Sequence, residues 1–200
     1  AITLGTGGDT VTAGAGDDTI TVATANFDAD HTVTGGAGTD TVTISDAGTH
    51  VDADFTNFLT VETISFGTFD TTLTLGSNAS TAGIVTVTDG TGDTTLTIGA
   101  GHTNNTTVAL STGADTVTAT NFTGALTVTA AVASIGATDT ITGGTGSDTL
   151  SITHDGSTLT ASEVANISGF ETLSVATNAS TGLITLSDAN IAANGSLTVD

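Results

Sequence analysis

Gly35-Gly36-Ala37-Gly38-Thr39-Asp40-Thr41-Val42-Thr43 has a second intact copy at Gly143-Gly144-Thr145-Gly146-Ser147-Asp148-Thr149-Leu150-Ser151. The shared pattern is Gly-Gly-x-Gly-x-Asp-x-aliphatic-x. Two further copies stand back to back, Leu4 to Thr12 with Asp9 and Val11, and Ala13 to Thr21 with Asp18 and Ile20. They lack only the first glycine, and their aspartates are nine residues apart. Looser copies run from Ser134 to Thr142 with Asp139, in register with the copy that follows, and from Leu110 to Thr118 with Asp115. Asp89-Gly90-Thr91-Gly92-Asp93 is rich in glycine but out of phase.

The first six residues of each unit suit a turn and the last three a short strand. Glycines such as Gly36, Gly38, Gly144 and Gly146 permit positive φ and let the backbone curl. The aliphatic residue at position eight points into a core, and its neighbours at seven and nine, nearly all Thr or Ser, point outward. The aspartate adds a hard anionic oxygen. Calcium takes six to eight oxygens at roughly 2.3–2.6 Å, so stacked turns would have to share an ion. A plain Gly/Asp turn between strands is the competing reading of any single copy.

This spacing resembles the RTX nonapeptide, the calcium-binding unit of parallel β-rolls. The resemblance implies Ca²⁺ at Asp9, Asp18, Asp40, Asp115, Asp139 and Asp148, with Gly36, Gly38, Gly144 and Gly146 shaping the turns. It also implies an all-β fold, a right-handed parallel β-roll or β-helix with calcium-binding turns.

Composition bears on the same point. The chain has 200 residues, 21 acidic and none Lys or Arg, for a formal charge of −21. Such self-repulsion opposes a compact state, yet 37% of the residues are hydrophobic. Bound cations reconcile the two. Nucleic acid is disfavoured as a partner, because no basic residue is present to meet phosphate. No stretch approaches the 18 apolar residues of a membrane-spanning helix, so direct membrane insertion is not expected. Without Cys there is no disulfide framework. Thr supplies about a quarter of the residues and favours half-buried strands. The one helix-like stretch is Thr160 to Ile167. With no initiator Met and no signal-peptide pattern, the chain reads as part of something longer.

Longer repeats are visible. The intact units are offset by 108 residues, Val61-Glu62-Thr63-Ile64-Ser65 and Phe170-Glu171-Thr172-Leu173-Ser174 by 109, and Asp9 to Ala13 and Asp115 to Ala119 by 106. Ser77 to Thr81 and Thr177 to Thr181 are offset by 100. These offsets divide the chain into a first unit, 1–106, and a truncated second unit, 107–200. Alternating segments such as Thr72 to Leu75, Ile84 to Thr88, Thr94 to Ile98, Ala125 to Thr129 and Gly182 to Leu186 extend the strand signal. No helical pattern is long enough for a crossover. Parallel strands joined by turns then imply a solenoid. At about 18–22 residues per coil and roughly 4.8 Å per coil, it would have roughly ten coils and a length of about 50 Å.

Other residues point less sharply. Phe55, Phe58, Phe66, Phe69 and Phe170 suit plugs where coil width changes, rather than an interface. Glu62 and Glu171 are either extra calcium ligands or outward strand positions. Asp28/Asp30 and Asp52/Asp54 read as acidic loops, or as pairs for a cation. His31, His50, His102 and His154 lack the spacing of a metal or catalytic site and read as surface-loop residues. No nucleophile–base pattern supports an enzyme. Seven of the ten Asn residues lie in Asn-x-Ser/Thr, more than this composition gives by chance, without establishing glycosylation. Thr-x-Thr triplets resemble the ladders of ice-binding β-helices, but their irregular sequence spacing argues against a lattice match.

The nonapeptides together with the Val61-Glu62-Thr63-Ile64 and Phe170-Glu171-Thr172-Leu173 blocks resemble bacterial surface-layer proteins with calcium-binding β-roll regions, of the Caulobacter type. That resemblance implies type I export, a cell-surface location and a calcium-dependent lattice or filament of the chain with itself. The interrupted nonapeptide runs and the lack of an identifiable anchor depart from the pattern. A spacer region of a large RTX adhesin and an ice-binding β-solenoid are the alternatives.

Overall fold

The computed structural model describes residues 1–154, 156–177 and 183–185. Of the position-eight aliphatics, Ile20, Val42 and Leu150 stack in one sheet, Val117 and Ile141 in a second and Val11 in a third. Ile2, Ile20, Val42, Ile64, Val87, Val108, Val128, Leu150 and Leu173 pair in parallel register as one inward column. They are the centres of a nine-stranded main sheet whose strands each belong to a successive coil. A six-stranded sheet lies opposite, built from Gly48–His50, Thr71–Leu75, Thr94–Ile98, Thr116–Thr118, Thr140–Thr142 and Ile167–Ser168. A three-stranded sheet, Thr10–Ala15, Thr32–Ala37 and Phe58–Leu59, closes the first coils. Every strand pair is parallel, and the enclosed aliphatic residues form a single core. The fold is a parallel β-solenoid.

The described residues form eight coils, against the roughly ten expected of the whole chain. Only the first, Ile2 to Ile20, has the 18 residues of two nonapeptides. The later ones take 20 to 23 residues. The main sheet is therefore about 40 Å long. The 108-residue repeat spans five coils, because Val42 and Leu150 are five rungs apart in the same column. The sequence boundary at 106/107 falls inside strand Thr106–Ala109, and the main sheet runs through it. The repeat segment 178–181 lies outside the described residues, as do the two end residues of the strand expected at 182–186 and the second unit's end; Ile184, within that strand, makes a parallel bridge with Leu159.

The coil from Val42 to Ile64 carries a strand in both secondary sheets, so the wall changes there. Phe27, Phe55 and Phe58 fill the interior at this coil, edge to face with centroids 5.1 to 6.1 Å apart. Phe66, Phe122 and Phe170 are buried too, whereas Phe69 is 40% exposed and is not a plug. The segment expected to be helical, Thr160 to Ile167, forms turns and a short strand instead. Among the described residues the α-helix is Ser77–Ala82. Its cap comes from another coil: Asp52 Oδ1 accepts N–H bonds from Gly76 and Ala79 at 2.7 and 2.9 Å, and Oδ2 accepts from Asn78 at 3.0 Å.

Outward positions form columns. Thr19, Thr41, Thr63, Thr86, Thr107, Thr127, Thr149 and Thr172 occupy eight successive rungs of the main sheet. Two residues along each strand runs a parallel column, mostly Thr and Ser. Thr72, Thr95, Thr116 and Thr140 line up likewise on the opposite sheet. The irregular spacing of Thr-x-Thr along the chain is absorbed by the loops, so it does not argue against a regular array in space.

Motif glycines are required by contact between coils. A Cβ on Gly36, whose φ is 122°, would stand 1.9 Å from the Gly14 carbonyl oxygen of the preceding coil. Gly144 and Gly146 are outside the left-handed region, yet a Cβ there would meet the carbonyls of Phe122 and Gly124 at 2.4 and 2.1 Å. Gly36→Ala should therefore destabilise the fold by roughly 2–4 kcal/mol. Thr107→Ala, on the open face, should stay within about 0.5 kcal/mol of wild type. Denaturant unfolding of the two variants checks both values, and equal effects would refute the contact argument.

Candidate functional site

A parallel strand entering the stack begins with a backbone N–H that needs an acceptor. In this chain a carboxylate of the next coil supplies it. Along the main sheet, Asp18 N–H donates to Asp40 Oδ1 at 2.8 Å, and Asp40 N–H to Glu62 Oε2 at 2.8 Å. Five coils on, Leu126 N–H donates to Asp148 Oδ1 at 2.8 Å and Asp148 N–H to Glu171 Oε2 at 2.8 Å. On the opposite sheet, Thr94 N–H donates to Asp115 Oδ1 at 2.9 Å and Asp115 N–H to Asp139 Oδ1 at 3.0 Å. All these acceptors stand two residues before the inward aliphatic of their strand. The motif aspartates other than Asp9 thus form two files along the leading edges of the main and opposite sheets.

Glu62 and Glu171 belong to the main file, in register with the aspartates they follow. They are neither isolated surface positions nor members of a separate cluster. His31 takes the equivalent place in the three-stranded sheet, where its Nδ1 accepts the Asp9 N–H at 3.1 Å. Asp9 Oδ2 also lies 3.7 Å from that nitrogen.

The files are deeply set. Asp40, Asp115, Asp139 and Asp148 are fully buried, whereas Asp9 and Asp18 are partly exposed. The second oxygens divide them further. Asp9 Oδ2 accepts Gly5 N–H at 2.9 Å, Asp139 Oδ2 accepts Gly136 N–H at 2.8 Å, and Asp148 Oδ2 accepts Gly144 N–H at 2.6 Å. In the other intact copy, Gly36 instead pairs with the preceding coil and donates to Thr60 Oγ1 at 2.8 Å. Asp40 Oδ2 is left buried without a partner, and so is Asp115 Oδ2. Buried unpaired carboxylate oxygens are costly unless a proton or a cation meets them.

Those two open oxygens fit a hard, oxygen-liganded cation. Beside Asp40, the carbonyl oxygen of Thr60 crowds the same face of Gly35 as Asp40 Oδ2. Thr60 itself has a positive φ of 51°. Among the described residues, no three His, Asp or Glu side chains gather into a metal-holding group. The carboxylates stand in single file, so backbone carbonyls would have to complete any ion's shell.

The histidines differ from expectation. All four are buried. His50 packs edge-on against Phe27 at 5.3 Å, and His102 Nε2 lies 3.0 Å from Thr106 Oγ1. Burial lowers the pKa of His50 and of His102. Their sequence neighbours are polar, and only the stacking of coils encloses them. Asp28 Oδ1 accepts Asp30 N–H at 2.9 Å, and Asp54 Oδ2 accepts Val51 N–H at 2.8 Å. With Asp52 on the helix, these loop carboxylates also serve as local caps.

The chain matches no known protein family, no curated protein and no solved structure. Among the described residues, no helix is long and apolar enough to cross a membrane.

Burial, with added repulsion from Asp89, Asp139 and Asp93, pushes the Asp115 carboxyl up to about 7. Burial raises Asp54, Asp89 and Asp148 as well. A raised carboxyl holds its proton in the folded chain after the unfolded chain has lost it, so stability falls as pH rises through the folded value. The two buried histidines act oppositely, costing stability as pH drops below 6.5. In chelator, the melting temperature should rise as pH is lowered from about 8.5 to about 6.5. Asp115→Asn should lose most of that rise. A wild-type chain that melts lower across this interval would contradict the assignment.

Proposed function

We propose that the chain is a structural component of a self-assembling extracellular surface layer or filament, stabilised by bound calcium. The observation that carries this reading is the pair of buried carboxylate files in a chain without Lys or Arg. Neighbouring carboxylates are one coil apart, roughly 5 Å, where two charges repel by about 3 kcal/mol at an effective dielectric of about 20. Calcium offsets that repulsion within the stack, and between subunits it bridges facing acidic surfaces. The nonapeptide-like units and the elongated repeat architecture agree with such a role, and the partner is another copy of the chain. Export to the cell surface belongs to the same reading.

Calcium titration followed by light scattering and electron microscopy tests it. Regular sheets or filaments should form above a calcium threshold. Magnesium should substitute poorly, because it keeps its waters and demands octahedral geometry. Monodisperse monomers at millimolar calcium would favour the spacer region of a large RTX adhesin.

The Thr columns favour a second reading, an ice-binding face. Their hydroxyls and methyl groups repeat at one spacing on eight successive rungs of the main sheet and carry no charge. Thermal hysteresis that is lost in Thr107→Lys would support it, and wild-type protein without hysteresis would remove it.

A further inference from the structure

Asp89 follows strand Thr86–Thr88 of the main sheet, and Asp115 precedes strand Thr116–Thr118 of the opposite sheet, one coil later. Both reach Thr94. Asp89 Oδ1 accepts its hydroxyl at 2.6 Å, and Asp115 Oδ1 accepts its N–H at 2.9 Å. Asp89 Oδ2 accepts Ser111 N–H at 2.9 Å. Asp115 Oδ2 is buried and meets no donor, in a residue with 0% exposure. The two carboxyl groups thus converge on Thr94 from consecutive coils, and neither offers a donor when ionised.

The surroundings supply only oxygen. The Gly92 carbonyl oxygen and Asp115 Oδ1 lie 2.6 and 3.1 Å from where a Cβ on Gly113 would stand. Asp93 and Asp139 add negative charge nearby, and the chain has no Lys or Arg to offset it. Two desolvated carboxylates converging on one residue require a cation or a proton beside them.

We propose that Asp89 and Asp115, with the Gly92 carbonyl, hold a calcium ion between consecutive coils. The hard oxygen set suits calcium rather than a transition metal. Asp89 remains 7% exposed, and solvent water completes the shell from that side. Asp89 is out of phase with the nonapeptides, so their spacing does not assign this site. The proposal rests on the calcium part of the reading above and is independent of assembly.

Calcium chloride is titrated into the full chain as wild type, Asp89→Asn and Asp115→Asn at neutral pH. Bound ions per chain are read by calorimetry, and melting and β content by circular dichroism. Asparagine keeps an acceptor oxygen for Thr94, so the stack is expected to persist. Each variant should bind one calcium ion fewer than wild type. Without calcium, Asp115→Asn should melt above wild type, because an uncompensated buried charge is gone. Should one variant lose its β spectrum, the ion count of the other decides. Unchanged stoichiometry in the folded variants, with wild type binding calcium, overturns this site and leaves the motif sites other than Asp115 standing. A wild type that binds no calcium overturns both. Loss of one ion in a chain that never assembles sustains the site and removes the lattice.

Discussion

At six strand entries of this solenoid a backbone N–H is answered by a carboxylate oxygen of the following coil. The rest of the structure depends on that exchange. It fixes acidic residues two positions before the inward aliphatic, and where it occurs it ties one coil to the next by side chain as well as by sheet. The same exchange places negative charges in file inside the fold. A neutral acceptor would cap equally well, as His31 does for Asp9, so the acidic preference carries a meaning beyond capping. In the coils from Asp18 to Glu62 and from Asp148 to Glu171 the carboxylates are consecutive.

The nonapeptide made the fold legible because position eight is read by a local rule. An aliphatic between two threonines, after a glycine-rich turn, has one sensible orientation. Stacking then follows from the absence of crossover helices. Coil length was less accessible. Nine-residue spacing predicts 18-residue coils, and only the first coil obeys, because the segments between the sheets vary without disturbing register.

What the sequence hid was decided by contacts between coils. His50 and His102 sit in polar stretches, and nothing local announces that Phe27 and Thr106 will enclose them. The helix at Ser77–Ala82 lacks a local cap, and Asp52 supplies one from the preceding coil. Thr160 to Ile167 carries a helix-like pattern but lies where the chain must turn back into the opposite sheet. The Thr columns are invisible as columns until the loops have absorbed their unequal spacing. At the candidate site, the aspartates were readable from the motif. The difference between Asp40 and Asp148 was not, since it follows from the pairing of Gly36 with Gly14.

The absence of any basic residue has a consequence on the scale of the whole rod. Spread along a stack about 40 Å long, the acidic groups amount to roughly one negative charge per 2 Å, close to duplex DNA at about 1.7 Å. A body of that linear charge density gathers a condensed counterion atmosphere whether or not it has specific sites. The protein then behaves partly as a polyelectrolyte. Any contact that brings two such rods together releases ions, so ionic strength itself becomes a control on how closely they approach.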